Sequence, residues 1–436
     1  MRFKVTPAKL ADASVTVPGD KSVSHRALLL GSIASGRTEV SGFLAADDCL
    51  ATLAAMTTLG VDIRQPSATE ISIQGVGLRG LQAPHKDLDV GNSGTAMRLL
   101  AGLLGGQPFD SVLTGDDSLC SRPMERVITP LTLMGAAISG RAGKPPLTIL
   151  GTATLRSINY ELPMASAQVK SAILLAGLYA AGTTCVAEPA VTRDHTERML
   201  RSMGVAVSSS AGKVSIAGGQ MPHGCQVQVP ADLSSASFVI LAVLLADNAD
   251  VLIKNVGVNP TRTGVIAILQ GMGAEISFEN PQLFGEEPVA DIRVRSSRLQ
   301  GGTVDPDLVS LAIDEFPVLF VAAAAASGKT VFSGIGELRV KESDRIATMA
   351  AGLRILGIEV DEADNGAIVH GGRFGGGTVQ SHGDHRVAMS LALAGTVAAD
   401  EVIVEDVAAV RTSFPEFQDC MAAIGAVIRL EEDDSV

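Results

Sequence analysis

Aromatic residues are nearly missing from this sequence, which has no tryptophan and only 3% aromatic residues among 436. The core must therefore be built mainly from alanine, valine, leucine and isoleucine. Hydrophobic residues still reach 46%, charged residues only 19%, and the mean hydropathy is +0.31. This composition excludes global disorder, and the length fits two or three domains.

Cysteine is also scarce, with five residues (49, 120, 185, 225 and 420) that never form a CxxC pair. This pattern argues against a disulfide framework or structural zinc site and favours a reducing compartment, so we expect a cytoplasmic protein. The N-terminal segment has no apolar signal-peptide region. The most apolar run, residues 316–326, is about half of the roughly 20 residues that span a bilayer, so we expect no membrane segment.

Basic residues are outnumbered, because 34 Lys and Arg face 47 Asp and Glu, a net charge of -13. An acidic chain is unsuited to general nucleic-acid binding, which needs a basic surface. The imbalance leaves open a small anionic ligand held in a local basic pocket.

Two patterns recur six times along the chain. The first is a helix-like apolar run with a polar start, as in SHRALLLGSIASG from Ser24 and DHRVAMSLALAG from Asp384. The second is an aliphatic-Gly-apolar step whose glycines are 75, 69, 69, 84 and 68 residues apart; they are Gly60, Gly135, Gly204, Gly273, Gly357 and Gly425. The glycine suits a helix C-cap followed by a strand, which predicts six α/β units of the form β-α-β-α-β-β.

The polar helix starts are candidate anion sites, because a helix N-terminus offers unpaired N–H groups and a partial positive charge. At the first start, Lys21, Ser22 and Arg26 can face one anion, since Arg26 lies one helical turn beyond Ser22. Each start taken singly could be only a helix cap.

A second charged segment, RVKESDR at residues 339–345, adds a carboxylate to the cations. Lys341, Glu342 and Arg345 can surround one helix start, and Asp314 provides a second carboxylate at another. Two carboxylates among cations suit proton transfer on an anionic substrate, although a surface charge cluster is the alternative interpretation.

Other motifs predict little chemistry. GVGLRG at residues 75–80 resembles a dinucleotide fingerprint, but a proline and a polar loop follow it where a helix should start. His382 and His385 form an HxxH pair without a supporting Glu or Cys, so we expect no metal site. Cys120 is interpreted as an inert thiol in a loop.

Nine motifs in order show that the chain resembles the 3-phosphoshikimate 1-carboxyvinyltransferase (5-enolpyruvylshikimate-3-phosphate synthase) family. The resemblance runs from about residue 5 to residue 430, and the ASAQVKSA and TRDHTE versions are similar to class II bacterial enzymes. The motifs are PGDKSVSHRAL, GNSGTAMRLL, SRPMERV, ASAQVKSAILLAGL, TRDHTERML, IDEFPVL, ELRVKESDR, GDHRVAMS and TSFPEF.

The resemblance implies an enolpyruvyl transferase fold of the α/β class, an inside-out α/β barrel of two similar domains with the active site in the interdomain cleft. Each domain has three β-α-β-α-β-β repeats, one domain at residues 20–232 and the other at residues 1–19 plus 233–436. The implied reaction moves the enolpyruvyl group of phosphoenolpyruvate to the 5-hydroxyl of shikimate 3-phosphate and releases phosphate. No metal or organic cofactor is implied, and we expect a monomer.

The resemblance also assigns roles by position. Catalysis falls to Lys21, Asp314 and Glu342, with Asp314 accepting the 5-hydroxyl proton and Glu342 acting at the phosphoenolpyruvate methylene. The expected shikimate 3-phosphate ligands are Lys21, Ser22, Arg26, Ser166, Ala167, Gln168, Arg193, Asp314 and Lys341. The expected phosphoenolpyruvate ligands are Lys21, Gly94, Arg122, Gln168, Arg345, His385 and Arg386.

Some positions depart from the class I pattern. Ala167 replaces a serine, Thr412 (next to Arg411) replaces a lysine, and Glu337 replaces an asparagine. Gly94 leaves room beside the phosphoenolpyruvate position, where alanine is associated with glyphosate tolerance in the family. We therefore expect glyphosate to inhibit this chain.

Three alternatives remain. UDP-N-acetylglucosamine enolpyruvyl transferase shares the fold and the donor but has a Lys-Asn start and a different cysteine loop. RNA 3'-phosphate cyclase would need a nucleotide-binding histidine and a more basic surface. A non-enzymatic repeat scaffold for anionic partners would need no catalytic carboxylate.

Overall fold

The computed structural model describes residues 1–152 and 154–432. The helices in this part of the chain are α1 (Lys21–Ile33), α2 (Asp47–Thr58), α3 (Gly94–Leu104), α4 (Asp117–Ser121), α5 (Glu125–Leu133), α6 (Ala167–Gly177), α7 (His195–Ser202), α8 (Leu233–Leu245), α9 (Gly264–Gly271), α10 (Val309–Ala312), α11 (Phe316–Ala325), α12 (Arg345–Ile355), α13 (His385–Gly395) and α14 (Phe417–Ala423). Short 3₁₀ turns cover Pro306–Leu308, Gly336–Val340 and Ala408–Thr412.

The strands are short and numerous. They are β1 (Arg2–Thr6), β2 (Ala13–Val15), β3 (Ser35–Ser41), β4 (Asp62–Ser67), β5 (Glu70–Val76), β6 (Leu88–Asp89), β7 (Ser111–Thr114), β8 (Ala137–Arg141), β9 (Lys144–Leu150), β10 (Leu155–Arg156), β11 (Asn159–Glu161), β12 (Ala180–Ala181), β13 (Thr183–Ala187), β14 (Val207–Ser210), β15 (Lys213–Ala217), β16 (Gln226–Gln228), β17 (Asp250–Gly257), β18 (Glu275–Phe284), β19 (Glu287–Arg295), β20 (Lys329–Ser333), β21 (Val360–Ala363), β22 (Gly366–His370), β23 (Gly377–Gln380), β24 (Val402–Glu405) and β25 (Val427–Glu431).

The chain divides into two compact units, each with its own hydrophobic core. The middle unit comprises Gly19–Pro230 together with the short segment Leu283–Glu287. The flanking unit comprises Met1–Pro18, Ala231–Gln282 and the described residues from Pro288 onward.

The sheets repeat one strand order. In the middle unit the orders are β16-β3-β5-β4, β6-β7-β9-β8 and β11-β13-β15-β14, besides the small pair β10-β12. In the flanking unit they are β23-β24-β1-β25, β18-β19-β17-β2 and β20-β22-β21. The four-stranded sheets each have one parallel edge pair, and in the last sheet Thr303 forms a parallel bridge with Val331 at the corresponding edge.

Six buried helices occupy the interior of the units. They are α1, α3 and α6 in the middle unit and α8, α11 and α13 in the flanking unit, and within each unit they pack against one another. Because their sides are almost entirely apolar, the sheets must enclose them to remove that surface from water.

In each of the six repeats, the second helix ends at one of the repeat glycines. Their φ angles are all positive, from +83° to +96°, a conformation that other residues adopt only with strain. The predicted C-cap role is confirmed, and a strand follows each glycine, as in β4 after Gly60 and β25 after Gly425.

One local expectation, the loop around Cys120, was wrong. Cys120 lies in the one-turn helix α4, which Asp116 caps by accepting a hydrogen bond from the Leu119 N–H at 2.8 Å. At the acidic C-terminal end, Glu431 belongs to β25 and pairs with Arg2 at 2.9 Å. The remainder of that end, residues 433–436, lies outside the described residues.

Among residues 1–152 and 154–432, no helix combines the length and apolar character needed to cross a membrane. All five cysteines are free thiols.

At Gly102 the helices α3 and α6 approach each other closely. A Cβ at this position would lie 2.2 Å from the Ala172 carbonyl oxygen and 2.7 Å from its Cα. We expect Gly102→Ala to lower the free energy of unfolding by about 1–3 kcal/mol, because backbone must move to accept the methyl group. Urea denaturation monitored by circular dichroism measures this change.

Gly271→Ala is the matched control, because a Cβ there meets nothing within 4 Å. It should be neutral or stabilise the protein by up to about 1 kcal/mol, since alanine favours helix over glycine. Equal stabilities of the two variants would contradict the close helix approach.

Candidate active site

The first buried helix of the middle unit brings Lys21 next to a carboxylate. Asp20 caps α1 by accepting a hydrogen bond from the Val23 N–H at 2.9 Å, and Lys21 is the first helical residue. Its Nζ lies 2.9 Å from Oδ2 of Asp48 in α2. The sequence analysis did not identify this partner, because the two residues are brought together only by packing of the two helices.

Arg26 is buried beneath that helix start. Its guanidinium donates to the Ser22 carbonyl at 2.9 Å, to Thr196 Oγ1 at 2.7 Å and to Ser171 Oγ at 2.9 Å. Burial lowers the pKa of Arg26 to about 10, partly offset by Glu197, and the nearby positive charge of Arg193 lowers it further. Arg26 is thus a fixed cation at neutral pH, with a second cation close to it.

His25 connects this helix to the start of α3. Its Nδ1 lies 2.8 Å from Thr52 Oγ1, and its Nε2 lies 3.4 Å from the Oγ of Ser93, the N-cap of α3. Burial, together with the charges of Lys21 and Arg26, lowers the pKa of His25 to about 3. The imidazole is therefore a neutral hydrogen-bonding link rather than a cation.

The starts of α3 and α6 are joined by side chains. Gln168 donates from Nε2 to Thr95 Oγ1 at 2.9 Å and accepts from Arg98 Nη1 at 2.6 Å. Arg98 also donates to the Gly94 carbonyl at 3.2 Å. Arg98 was missed in the sequence analysis, although its position one turn after Gly94 placed it on the face of that helix start.

Arg122 lies beside Gly94. Its Nη2 donates to Asn92 Oδ1 at 2.5 Å and to Ser118 Oγ at 3.3 Å, and its Nη1 lies 3.4 Å from where a Cβ of residue 94 would be. The glycine therefore leaves space next to two guanidinium groups, those of Arg122 and Arg98.

In the flanking unit, Arg345 is shared by three carboxylates. It is 1% exposed and contacts Asp384 at 2.8 Å, Glu342 at 2.7 Å and Asp314 at 3.7 Å. Burial alone would lower the pKa of Arg345, but Asp384, Glu342 and Asp314 raise it above its ordinary value. The two predicted acidic residues, Asp314 and Glu342, are therefore held by one permanently charged group.

Two more cations complete this cluster. Lys341 Nζ lies 3.5 Å from Asp314 Oδ1 and 3.8 Å from Glu337. Arg386, near the start of α13, donates to the Asp314 carbonyl at 3.1 Å and lies 3.6 Å from Glu315.

The predicted site residues fall into two groups. The structure places the following in the middle unit: Lys21, Ser22, Arg26, Gly94, Arg122, Ser166, Ala167, Gln168 and Arg193. It places Asp314, Lys341, Glu342, Arg345, His385 and Arg386 in the flanking unit. Most lie at helix starts, including Ser166, the N-cap of α6, and His385, the first residue of α13.

Within the part of the chain that the structure describes, one group of three potential metal ligands lies together. It consists of Glu359, Asp361 and His370 around the β21–β22 hairpin. None of these belongs to the predicted site.

Six sheet-enclosed helices whose starts carry guanidinium, ammonium and carboxylate groups define a class of α/β enzyme that acts on small anions. The comparisons narrow this class. A model of the family EPSP synthase (3-phosphoshikimate 1-carboxyvinyltransferase) matches residues 5–421, and the chain belongs to that family.

Relatives match over nearly the full length. The 3-phosphoshikimate 1-carboxyvinyltransferase of Nitrosococcus oceani is 54% identical over 430 residues, covering 98% of this chain and 97% of the relative. That of Hydrogenovibrio crunogenus is 52% identical over 433 residues, with the same coverage. The structure of EPSP synthase from Acinetobacter baumannii has a TM-score of 0.89 and 50% identity, covering 99% of this chain and 100% of that one. The predicted family, fold class and transferase activity are confirmed.

Asp384 is the buried partner of Arg345 in the flanking unit. It is fully buried, caps α13 through the Arg386 and Val387 N–H groups, and accepts from Arg345. Burial would raise the pKa of Asp384, but Arg345 outweighs this and lowers it below 3.8. We expect Asp384→Asn to cost about 3–5 kcal/mol of stability at neutral pH, because it leaves a buried guanidinium without its main partner.

The same pair predicts how stability depends on pH. Because folding lowers the pKa of Asp384, its ionised form contributes its full stabilisation above the unfolded pKa of 3.8. This stabilisation is lost as the pH falls through the folded pKa. The stability difference between wild type and variant should be constant above about pH 5 and shrink in more acidic buffer, in urea titrations at several pH values. Asp344→Asn is the control: this N-cap of α12 is 38% exposed, and asparagine caps a helix about as well as aspartate, so the substitution should cost less than about 1 kcal/mol. Equal losses for both variants would contradict the buried pair.

Proposed function

We propose that this chain transfers the enolpyruvyl group of phosphoenolpyruvate to the 5-hydroxyl of shikimate 3-phosphate, through the residues assigned below. The observation that carries the assignment is the pair of carboxylates, Asp314 and Glu342, held on the single guanidinium of Arg345. Family membership supports the reaction, and this cluster supplies groups that can move its protons.

Asp314 accepts the proton of the attacking 5-hydroxyl. Lys341 and Arg345 lie 3.5 and 3.7 Å from its Oδ1, which suits a base that must be ionised before it can accept a proton. The hydroxyl oxygen bonds to C2 of phosphoenolpyruvate while the methylene carbon C3 gains a proton.

Loss of phosphate and of one C3 proton then restores the double bond as the enolpyruvyl ether. Glu342 acts at the methylene in both steps. Lys21 assists near the phosphate, where negative charge develops on the leaving group.

The binding residues divide by chemistry. Shikimate 3-phosphate is held by Lys21, Ser22, Arg26, Ser166, Ala167, Gln168, Arg193, Asp314 and Lys341. Phosphoenolpyruvate is held by Lys21, Gly94, Arg122, Gln168, Arg345, His385 and Arg386. Arginine predominates because its planar fork matches carboxylate and phosphate oxygens in pairs.

The same proposal includes the domain boundaries, the oligomeric state and the cellular compartment of the enzyme. Its domains follow the predicted division into residues 20–232 and residues 1–19 plus 233–436, except that Leu283–Glu287 groups with the first, and it acts as a cytoplasmic monomer. The five free thiols support a reducing compartment.

The decisive experiment measures phosphate release from purified protein with phosphoenolpyruvate and either shikimate 3-phosphate or UDP-N-acetylglucosamine. We expect release only with shikimate 3-phosphate. Phosphate release only with UDP-N-acetylglucosamine would show that this nucleotide sugar is the acceptor. No release with either acceptor would favour the non-enzymatic scaffold that binds anions.

Asp314→Asn tests the proposed base. It keeps the size of the side chain but removes its basicity, so we expect kcat to fall by about 10²–10⁴-fold, measured as phosphate release. Asp307→Asn is the matched control in the same unit, because Asp307 is an exposed aspartate and should leave kcat unchanged. Full activity of Asp314→Asn would remove Asp314 from the mechanism.

Gly94→Ala tests the space beside the phosphoenolpyruvate position. The added Cβ would lie 2.8 Å from Arg98 Nη1, so the flexible end of that side chain must shift. We propose that glyphosate competes with phosphoenolpyruvate and that the variant raises the inhibition constant more than the KM of phosphoenolpyruvate. Steady-state inhibition kinetics measure both, with Gly302→Ala as control, since a Cβ there meets nothing within 4 Å. An equal rise in both constants would count against the idea.

A further inference from the structure

Lys170 is a buried lysine to which the proposed mechanism assigns no role. It lies in α6, one turn after the Ser166 cap, and its side chain is 1% exposed. A buried ammonium group persists only where nearby groups compensate its charge and accept its hydrogen bonds.

Three oxygen atoms of the middle unit lie close to its ammonium group. Nζ lies 2.9 Å from Glu188 Oε2, 2.8 Å from Glu197 Oε1 and 3.5 Å from the Thr192 carbonyl oxygen. The Thr192 hydroxyl in turn donates to the other oxygen of Glu188. Lys170 therefore donates hydrogen bonds to Glu188 and to the Thr192 carbonyl and forms an ion pair with Glu197.

The acceptors anchor a segment that has no regular structure of its own. Residues 188–194 connect β13 to α7 without forming a helix or a strand. Lys170 contacts this segment at its first residue, Glu188, and again at Thr192, next to Arg193. One side chain of α6 therefore contacts the segment that carries Arg193 at two points.

The cluster brings opposite charges together. Two cations, Lys170 and Arg26, lie near the carboxylates of Glu188 and Glu197, and Glu197 acts electrostatically on both cations. Burial alone would lower the pKa of Lys170, but Glu197 and Glu188 outweigh it and raise that pKa. The ammonium group stays charged at neutral pH and holds both carboxylates.

We propose that Lys170 is a positioning residue that holds segment 188–194, and thereby the Arg193 guanidinium, in place for shikimate 3-phosphate. This inference rests on the proposed function. It assigns to α6 a second task, because the same helix presents Ser166, Ala167 and Gln168 at its start.

The test removes the link without leaving a net buried charge. Lys170→Met with Glu188→Gln deletes one cation and one anion, so Glu197 remains opposite Arg26. We expect the Kd of shikimate 3-phosphate, measured by isothermal titration calorimetry, to rise about tenfold, while the KM of phosphoenolpyruvate changes by less than about twofold.

A double-mutant cycle separates positioning from general destabilisation. In an Arg193→Ala background, the Lys170→Met/Glu188→Gln change should have no further effect on shikimate 3-phosphate binding, because the positioned group is already missing. Additive losses, or an unchanged Kd in the otherwise wild-type chain, would overturn the proposal.

Two further variants keep the test decisive if the double variant folds poorly. Thr192→Val retains the shape of the side chain but removes its hydrogen bond to Glu188, so a smaller rise in the same Kd is expected. Ile149→Ala is the control, since it opens a cavity in β9 of the same unit, at a residue with no exposed surface, and should leave that Kd unchanged. An unchanged Kd for Thr192→Val, or an equal rise for Ile149→Ala, would contradict the proposal.

Hydrogen exchange distinguishes failure of this inference from failure of the proposed function. If wild type neither binds shikimate 3-phosphate nor releases phosphate, the function is wrong whatever the variants do. Faster amide exchange in residues 188–194 of the Lys170 variant, compared with Ile149→Ala, would still support the anchoring role. Unchanged exchange there would reject it.

Discussion

The burial of whole apolar helices is the constraint on which this structure depends. A helix satisfies its own backbone hydrogen bonds along its length but leaves N–H groups unpaired at its start. The sheets enclose six helices: α1, α3, α6, α8, α11 and α13. The unpaired N–H groups at the N-termini of these helices need polar partners, so polar side chains gather there. Caps such as Asp20, Ser93 and Asp384 satisfy these ends, and the charged side chains lie next to them. The placement of the site is thus a consequence of how the core is built.

Buried charges are handled in the same way in both units. Arg345 in the flanking unit and Lys170 in the middle unit are each 1% exposed, and each is surrounded by more than one carboxylate. Such arrangements contribute little net stability, because desolvation offsets most of the attraction. Their value lies in geometry, since a charge held from several sides cannot move without a large energetic penalty.

Much of the fold could be predicted from the sequence, because residues that are close together in the sequence determine where the helices of each repeat begin and end. The glycine that ends a helix and the polar residue that starts one depend on a few neighbouring positions, so Gly60 or Ser93 could be assigned without tertiary information. Lys21 and Asp48 are 27 residues apart in the sequence, as are Lys170 and Glu197. Both pairs depend on the packing of helices. The repeat pattern contains no signal for such pairs. Segment Leu283–Glu287, which groups with the middle unit, was missed for the same reason.

The flanking unit has an unusual relation to the order in which the chain is made. Strand β1, at the start of the chain, pairs with β24 on one side and with β25 on the other. This sheet is therefore incomplete until β25 has left the ribosome, so β1 must wait for strands that are made much later. The middle unit, apart from Leu283–Glu287, is one continuous stretch that can fold much earlier. During synthesis the cell therefore holds a chain whose two halves mature at different times, and the unpaired edges of β1 are the part that needs protection longest.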